Sequence, residues 1–209
     1  MRFKERSRTL SAFNKYHSRL RWANARLEIW QAGLQWYRNG TKRLQEAINE
    51  SGANVSLYRA AGVASLLSPL TPWSRNMRGA EELVRLYASR ASYPYLLDVA
   101  ERSTVYNTNA KRAVSYLQGN DLEAPGGMKT GPFHKNLAGN LEPVTVDSWM
   151  YRIVDRFGLS SETPTENANR SITRALKMCA TLYGIAPAQA QAIVWTVERD
   201  YWSKKSDRT

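Results

Sequence analysis

The sequence predicts an all-α protein. Apolar residues recur at intervals of three and four along most of the chain, which has 209 residues, and this spacing is typical of one face of an α-helix. Residue types that begin and end helices separate these stretches. Strand signals are scarce, because Val144–Val146 is too short to build a sheet. We therefore expect a bundle of helices.

The N-terminal segment carries a narrow apolar stripe that is typical of coiled coils or packed helical hairpins. Its positions are Phe13, Tyr16, Leu20, Ala23, Leu27, Trp30, Leu34 and Tyr37. Asn39–Gly40 is expected to stop this helix, and Thr41–Ile48 to resume it. The polar break at Asn49–Asn54 then separates a basic N-terminal helical extension, residues 1–50, from the core, residues 51–209. The stripe is compatible with packing on that core or on a second copy of the chain.

The core is expected to contain eight helices joined by short connectors. Their predicted ranges are 56–67, 74–89, 95–101, 108–117, 129–138, 147–157, 165–183 and 187–202. Ser68–Pro72 is predicted to be a rigid connector, because the residue before each proline is pushed out of helical geometry. Gly184 is expected to end the seventh of these helices. Pro187 is expected to open the eighth, since proline is favoured in a first helical turn.

The charge of the chain indicates an anionic partner. The formal net charge is +12 and the isoelectric point is about 10.0, and residues 1–50 hold 11 Lys and Arg against 4 Asp and Glu. A basic excess of this size favours nucleic acid. One cysteine excludes an internal disulfide and fits a reducing compartment. No apolar run approaches the ~20 residues that span a bilayer, and no signal peptide is evident, so we expect a soluble, cytoplasmic protein with no membrane partner.

Two segments carry the residues best suited to chemistry. Ala124–Thr130 is a glycine turn that delivers Lys129 to the start of one predicted helix, and Val144–Ile153 delivers Asp147 to the start of the next. The helix dipole favours an ionised carboxylate at that position. Capping alone would also account for an aspartate there. The only histidines are His17 and His134, so a histidine metal site or a Ser-His-Asp triad is not expected.

These two segments together resemble the core of the helix-hairpin-helix DNA glycosylases related to endonuclease III. In that family a glycine-rich hairpin carries a lysine or its substitute. An aspartate follows in a Val-Asp-Thr/Ser-x-x-x-Arg-like context, which this chain matches at residues 146–152. Segments 66–80 and 107–113 resemble two further parts of the family's core, and the resemblance extends over about residues 55–158.

The chain departs from the family in three places. Its hairpin reads Pro125-Gly126-Gly127 where the family has Leu-Pro-Gly-x-Gly, which alters the turn whose amides grip a phosphate. Leu70 stands where a glutamine commonly follows the family's Leu-Leu-Ser. Cys179 is the only cysteine, so the four-cysteine iron–sulfur cluster of some members cannot form.

The resemblance implies a helix-hairpin-helix glycosylase-like orthogonal helical bundle. It also implies an enzyme that flips a damaged or modified base out of double-stranded DNA and excises it, with or without AP-lyase activity. Asp147 would stabilise the positive charge that builds on the sugar. Lys129 would either attack C1′ as an amine or contact a phosphate, and the two roles are equally favoured. If the lysine is not the nucleophile, Asp147 would activate water. No cofactor is implied.

The remaining candidates form a base pocket and a DNA-binding surface. The pocket candidates are Ser68, Trp73, Asn76, Asn136 and Trp149. Core packing is the favoured interpretation of Trp149 and Tyr151, and Asn136 with Asn140 is expected to anchor the loop before Asp147. The DNA-binding candidates are Lys111, Gly126, Gly127, Thr130, Lys135 and Arg152 in the core and Arg19 and Arg26 on the N-terminal helix.

Two alternatives keep this fold and change the activity. Some divergent, phage-encoded relatives act in thymidine hypermodification, where a modified base is attacked rather than excised. A short, basic chain with an altered hairpin is compatible with such a branch. The other alternative is a non-catalytic DNA-binding protein on the same scaffold.

Overall fold

The computed structural model describes residues 3–120, 123–154 and 165–206, and these residues form ten α-helices and no strand. The helices are α1 (Phe3–Asn24), α2 (Leu27–Ser51), α3 (Leu57–Leu67), α4 (Trp73–Ala88), α5 (Tyr93–Ser103), α6 (Asn107–Gln118), α7 (Thr130–Leu137), α8 (Ser148–Val154), α9 (Glu166–Tyr183) and α10 (Pro187–Ser206). The predicted all-α class is confirmed. The expected continuation of α8 to Phe157 lies outside the described residues. Within those residues, no helix is both long enough and apolar enough to cross a membrane.

The chain divides into two compact units. The terminal unit comprises Met1–Tyr37 and Leu141–Thr209, and the middle unit comprises Arg38–Asn140. The terminal unit is therefore assembled from two separate stretches of sequence. Helix α2 contributes its first part to the terminal unit and its second part to the middle unit.

The predicted boundary after residue 50 falls inside the middle unit, one residue before α2 ends. The later turns of α2 bury Leu44 and Ala47, and Arg43 Nε pairs with Glu81 Oε1 of α4 at 2.6 Å. These contacts tie the second part of α2 to the middle unit. The polar composition of the segment that follows the helix does not mark the limit of a unit.

Helix α2 does not stop at Gly40, where the sequence predicts a break. It continues to Ser51, and Gly40 is buried within it. A Cβ added at this position would lie 2.8 Å from Leu137 Cδ2 and 3.1 Å from a ring carbon of Trp73. The glycine therefore allows parts of the middle unit to pack closely, and its propensity cost of ~1 kcal/mol is overcome by the helix around it.

The chain turns instead between α1 and α2. The Arg26 N–H donates to the Ala23 carbonyl at 2.8 Å, and the Trp30 N–H donates to the Arg26 carbonyl at 3.1 Å as α2 begins. No glycine or proline marks this corner, so the usual turn signals are missing. Leu27, one of the predicted stripe positions, is 72% exposed there.

The terminal unit is built around α1. This helix packs against α8, α9 and α10 and buries Tyr16, Leu20 and Ala23 of the predicted stripe. In the first part of α2, Gly33 lies against Ile193 of α10, where an added Cβ would come within 2.5 Å of the Ile193 Cα. The crossing of these two helices therefore requires a glycine.

Helix α3 is the central element of the middle unit. It packs against α4, α6 and α7, and all residues of Ala60–Leu67 are buried. Ser56 caps the helix, because its hydroxyl accepts from the Arg59 N–H at 3.2 Å. A Cβ added to Gly62 would overlap the ring of Tyr116. The small side chains of α3 thus set the spacing of the helices around it.

Candidate functional site

Asp147 caps α8 in the terminal unit. The residues that precede it, Val144–Val146, are buried, and Asp147 itself is half-buried. Its Oδ1 accepts hydrogen bonds from the backbone N–H groups of Trp149 at 3.0 Å and Met150 at 3.1 Å. This is the geometry of an N-cap, in which the side chain satisfies donors of the first helical turn. The two bonds fix the orientation of the carboxylate.

Helix α1 anchors the helix that Asp147 caps. The buried Tyr16 hydroxyl donates to the Met150 carbonyl at 2.9 Å, and Lys15 Nζ donates to the Val154 carbonyl. The described part of α8, Ser148–Val154, is therefore tied to α1 at two places. These tertiary bonds hold that part of the helix in position.

Two buried tyrosines lie in the electrostatic environment of Asp147. Burial raises the pKa of Tyr16, and the negative charge of Asp147 raises it further. Burial also raises the pKa of Tyr37. A hydrogen bond with Thr145 lowers this pKa, and the negative charge of Asp147 raises it. The Tyr37 hydroxyl donates to Gln191 Oε1 at 2.7 Å. Both phenols remain protonated at neutral pH and act as hydrogen-bond donors.

The aromatic residues that follow Asp147 pack on the core of the terminal unit. Trp149 and Tyr151 are partly buried against its apolar cluster, as the core-packing interpretation predicts. The Arg152 guanidinium lies 4.8 Å from the centroid of the Trp149 ring, and the Arg152 side chain is exposed. Trp149 therefore supports a surface cation through a cation–π contact.

Lys129 lies at the end of a glycine turn in the middle unit. Gly127 has φ +87°, a left-handed conformation that glycine adopts without strain, and Thr130 Oγ1 donates to the Gly126 carbonyl across the turn. Ser65 Oγ of the buried α3 donates to the Thr130 carbonyl at 2.6 Å. The turn is therefore fastened to the centre of its unit, and Lys129 takes the N-cap position of α7.

Two of the predicted pocket residues donate to backbone carbonyls near the end of α3. Asn76 is buried and its Nδ2 donates to the Ala64 carbonyl at 2.7 Å, while its Oδ1 is buried without a hydrogen-bond partner. Ser68 is also buried, and its hydroxyl donates to the Ser65 carbonyl at 2.8 Å. Both side chains therefore have structural roles in the middle unit.

The other two pocket candidates of the middle unit lie near α7. Trp73 is half-buried, and its ring meets that of Phe133 edge-on with centroids 6.3 Å apart. Asn136 is buried, and its Nδ2 donates to the Asn140 carbonyl at 2.8 Å. This bond holds the turn that follows α7, and the anchoring of the loop before Asp147 by Asn136 and Asn140 stays a prediction.

The candidate residues fall into two groups. Ser68, Trp73, Asn76, Lys129 and Asn136 belong to the middle unit, whereas Asp147 and Trp149 belong to the terminal unit. The contacts described above all lie within one unit or the other. The convergence of Lys129 and Asp147 on one nucleotide stays a prediction.

The predicted DNA-binding cations differ in their surroundings. Lys111, Lys135, Arg152 and Arg26 are exposed. Arg19 is instead engaged inside the terminal unit, where its Nε pairs with the buried Glu198 and its Nη1 donates to the Lys15 carbonyl at 3.2 Å. The guanidinium of Arg19 therefore contributes to the packing of the terminal unit, and its contact with DNA stays a prediction.

Sequence reasoning missed the tyrosines around Asp147. Tyr16 belongs to the apolar stripe of α1, and Tyr37 ends that stripe. Their spacing predicts burial, but it carries no information on where their hydroxyl groups bond. Only the fold shows that Tyr16 supports α8.

The fold and these residues define a basic, all-α protein. The terminal unit carries the capping carboxylate of Asp147, and the middle unit carries Lys129 at the end of a glycine turn. The chain belongs to a family of unknown function, DUF7178, whose sequence model matches residues 4–204. No curated protein and no solved structure matches it.

Proposed function

We propose that this protein is a DNA glycosylase that flips a damaged or modified base and excises it with Asp147 as the essential carboxylate. The observation that carries the proposal is the fixed position of Asp147, whose Oδ1 accepts from two backbone N–H groups on a helix anchored to α1. A carboxylate held in place before the substrate binds stabilises developing positive charge without reorganisation. The net charge of +12 supports a DNA partner.

In the proposed reaction, the target nucleotide rotates out of the duplex and positive charge builds on its sugar as the N-glycosidic bond breaks. Asp147 stabilises that charge and accepts a proton from the water that attacks C1′. The leaving base keeps the electron pair of the broken bond and takes up a proton. The products are a free base and an abasic site.

Lys129 extends the proposal to a lyase. In this route its neutral amine attacks C1′, the base leaves, and the opened sugar forms a Schiff base with Nζ. Elimination then breaks the bond to the 3′-phosphate. Borohydride trapping of a covalent protein–DNA adduct, lost in Lys129→Gln, tests this step, and the absence of an adduct assigns Lys129 to phosphate contact instead.

A matched pair of variants tests the role of Asp147. Asparagine caps a helix about as well as aspartate, so Asp147→Asn removes the charge and keeps the cap. We expect the wild-type protein to form abasic sites in at least one duplex carrying uracil, hydroxymethyluracil, an oxidised base or an alkylated base. We expect Asp147→Asn to slow this reaction at least about a hundredfold with an unchanged melting temperature. Asp98→Asn, an equivalent change on the exposed surface of α5, serves as the control.

A non-catalytic DNA-binding protein is the second candidate, and the N-cap favours it, because capping alone explains the position of Asp147. This candidate is supported if no duplex yields abasic sites and Asp147→Asn binds DNA as the wild type does. A duplex with a pyrophosphorylated hydroxymethyl base belongs in the same panel. Consumption of that base without abasic sites would replace the glycosylase proposal by hypermodification chemistry.

A further inference from the structure

The side of α1 opposite its buried stripe is exposed and lacks acidic residues. Polar residues at intervals of three and four line its centre, namely Ser7, Ser11, Asn14 and Ser18, and all are exposed. Exposed arginines flank this line at Arg6, Arg8 and Arg21. No Asp or Glu occurs between Glu5 and Glu28. The outward face of α1 therefore combines hydroxyl groups with positive charge.

The exposed arginines of α1 and its corner have no acidic partner among the described residues. Arg6, Arg8, Arg21 and Arg26 form no ion pair with a described carboxylate, and all four are exposed. Three exposed arginines elsewhere have acidic partners, in the pairs Arg85–Glu50 at 3.1 Å, Arg102–Asp98 at 2.7 Å and Arg170–Glu166 at 4.0 Å. Other exposed arginines, among them Arg38, Arg78 and Arg90, form no such pair with a described residue either. The distinguishing feature of α1 is therefore that its unpaired arginines lie in a stretch without any acidic residue.

The corner that follows α1 adds an aromatic surface. Trp22 is 38% exposed, the Arg26 guanidinium lies 3.8 Å from the centroid of its ring, and Arg26 Nη1 donates to the Trp22 carbonyl at 3.0 Å. A guanidinium stacked in this way keeps further N–H donors in its plane for a phosphate. An exposed indole beside cations is typical of sites that stack an unpaired base.

We propose that the outward face of α1 and the α1–α2 corner bind a nucleic-acid strand. In this site Arg6, Arg8, Arg21 and Arg26 contact phosphates, and an unpaired base stacks on Trp22. Helix α1 has 22 residues, a length of about 33 Å that approaches the ~34 Å of one DNA turn. The line of serine and asparagine side chains favours nucleic acid over a membrane, because an interfacial helix needs a continuous apolar face.

This inference shares with the proposed function only the expectation that the partner is a nucleic acid. It does not require base excision. Asp147 precedes α8 as its cap and is not part of the proposed surface. Asp147→Asn is therefore expected to leave DNA affinity unchanged. Loss of excision without loss of binding would leave the α1 surface intact as a proposal.

The phosphate contacts are tested by the salt dependence of binding to a plain duplex. Each phosphate contact contributes ~0.9 to the slope of log K against log salt, so the triple variant Arg6→Gln, Arg8→Gln, Arg21→Gln should lower that slope by about 2 to 3. The control triple carries Arg85→Gln, Arg102→Gln and Arg170→Gln. It loses the same charge from arginines that already have acidic partners, so its slope should change by less than ~1. Equal changes in both triples would show diffuse attraction and overturn the site.

The stacking contact is tested with Trp22→Leu and Trp22→Phe on a single-stranded oligonucleotide. Trp22→Leu should weaken binding about tenfold, and Trp22→Phe should weaken it less, because phenylalanine keeps a stacking ring. The melting temperature of each variant controls for folding. Unchanged affinity in a folded Trp22→Leu protein would remove the base contact from the proposal. The variant with Arg6, Arg8 and Arg21 replaced by glutamine is also tested on anionic phospholipid vesicles. If it loses vesicle binding while its DNA affinity stays at the wild-type value, the surface binds a membrane instead.

Discussion

The buried histidine of the middle unit illustrates how single residues respond to their surroundings. His134 is 1% exposed and its Nε2 lies 2.8 Å from the Tyr58 carbonyl. Because a carbonyl only accepts hydrogen bonds, this contact places the proton on Nε2. Burial lowers the pKa of His134. The hydrogen bond with Tyr58 raises this pKa, but burial has the larger effect. The ring is therefore neutral in the folded protein at neutral pH.

We expect the free energy of unfolding to fall on mild acidification because of His134. An unfolded histidine has a pKa of ~6.5, whereas the pKa of His134 in the fold is lower. Between these two values the unfolded state binds more protons, so stability is complete above about pH 6.5 and declines as the pH falls below it. Urea denaturation from about pH 7.5 to about pH 5.5 measures this decline.

His134→Gln is the matched variant for this effect. Its amide nitrogen replaces Nε2 as a donor towards Tyr58 and does not titrate. We expect a smaller loss of stability with falling pH in this variant than in the wild type. The same pH dependence in both proteins would show that other groups are responsible.

At the level of helices and turns, elements with local boundary signals could be predicted from the sequence. Ser56 caps α3 and Thr165 caps α9 through their own hydroxyl groups. Gly184 ends α9 in a left-handed conformation at φ +63°. Each of these boundaries depends on residues within one turn, so a sequence pattern contains the necessary information.

Boundaries set by tertiary packing could not be predicted. Gly40 has the residue type of a helix stop, yet it serves as a contact point for Leu137 in an unbroken helix. The turn at Arg26 has no glycine or proline. The candidate site likewise contains both local and long-range features. The cap formed by Asp147 depends on neighbouring residues and could be predicted. The pairing of Arg19 with Glu198 joins distant parts of the chain and could not.

The crossing of α2 and α10 leads to a prediction on stability. Gly33→Ala should lower the free energy of unfolding by about 1 to 3 kcal/mol, despite the gain of ~1 kcal/mol in helix propensity, because the added Cβ meets the backbone of Ile193. Gly40→Ala should cost less, since its closest contact is the methyl end of Leu137. Urea denaturation of both variants measures the difference.

Ile193→Ala supplies the control for that prediction. Shortening the side chain does not remove the Ile193 Cα, which lies 2.5 Å from the added Cβ. The double variant Gly33→Ala, Ile193→Ala should therefore be no more stable than Gly33→Ala alone. Recovery of stability in the double variant, or a larger effect of Gly40→Ala, would contradict the geometry of this crossing.

For the molecule as a whole, the positive charge has a thermodynamic consequence. A net charge of +12 produces self-repulsion that destabilises the compact state. We expect the melting temperature to rise as sodium chloride increases from about 50 to about 500 mM, because salt screens exposed charges over shorter distances. A scan of melting temperature against salt concentration measures the effect.

The α1 triple variant provides the comparison for this salt effect. Replacing Arg6, Arg8 and Arg21 by glutamine lowers the net charge from +12 to +9 (12 − 3). The rise in melting temperature with salt should therefore be smaller in this variant. A wild-type melting temperature that falls with salt would mean that ion pairs outweigh repulsion.

The discontinuity of the terminal unit affects how a newly made chain folds. Ribosomes add ~5–20 residues per second, and the middle unit, Arg38–Asn140, is complete before the chain reaches Leu141. The helices that cover Tyr16 and Leu20, α8 to α10, are translated after the middle unit. The apolar side of α1 is thus without these partners for roughly ten seconds, and α1 is where we expect chaperones to bind the nascent protein.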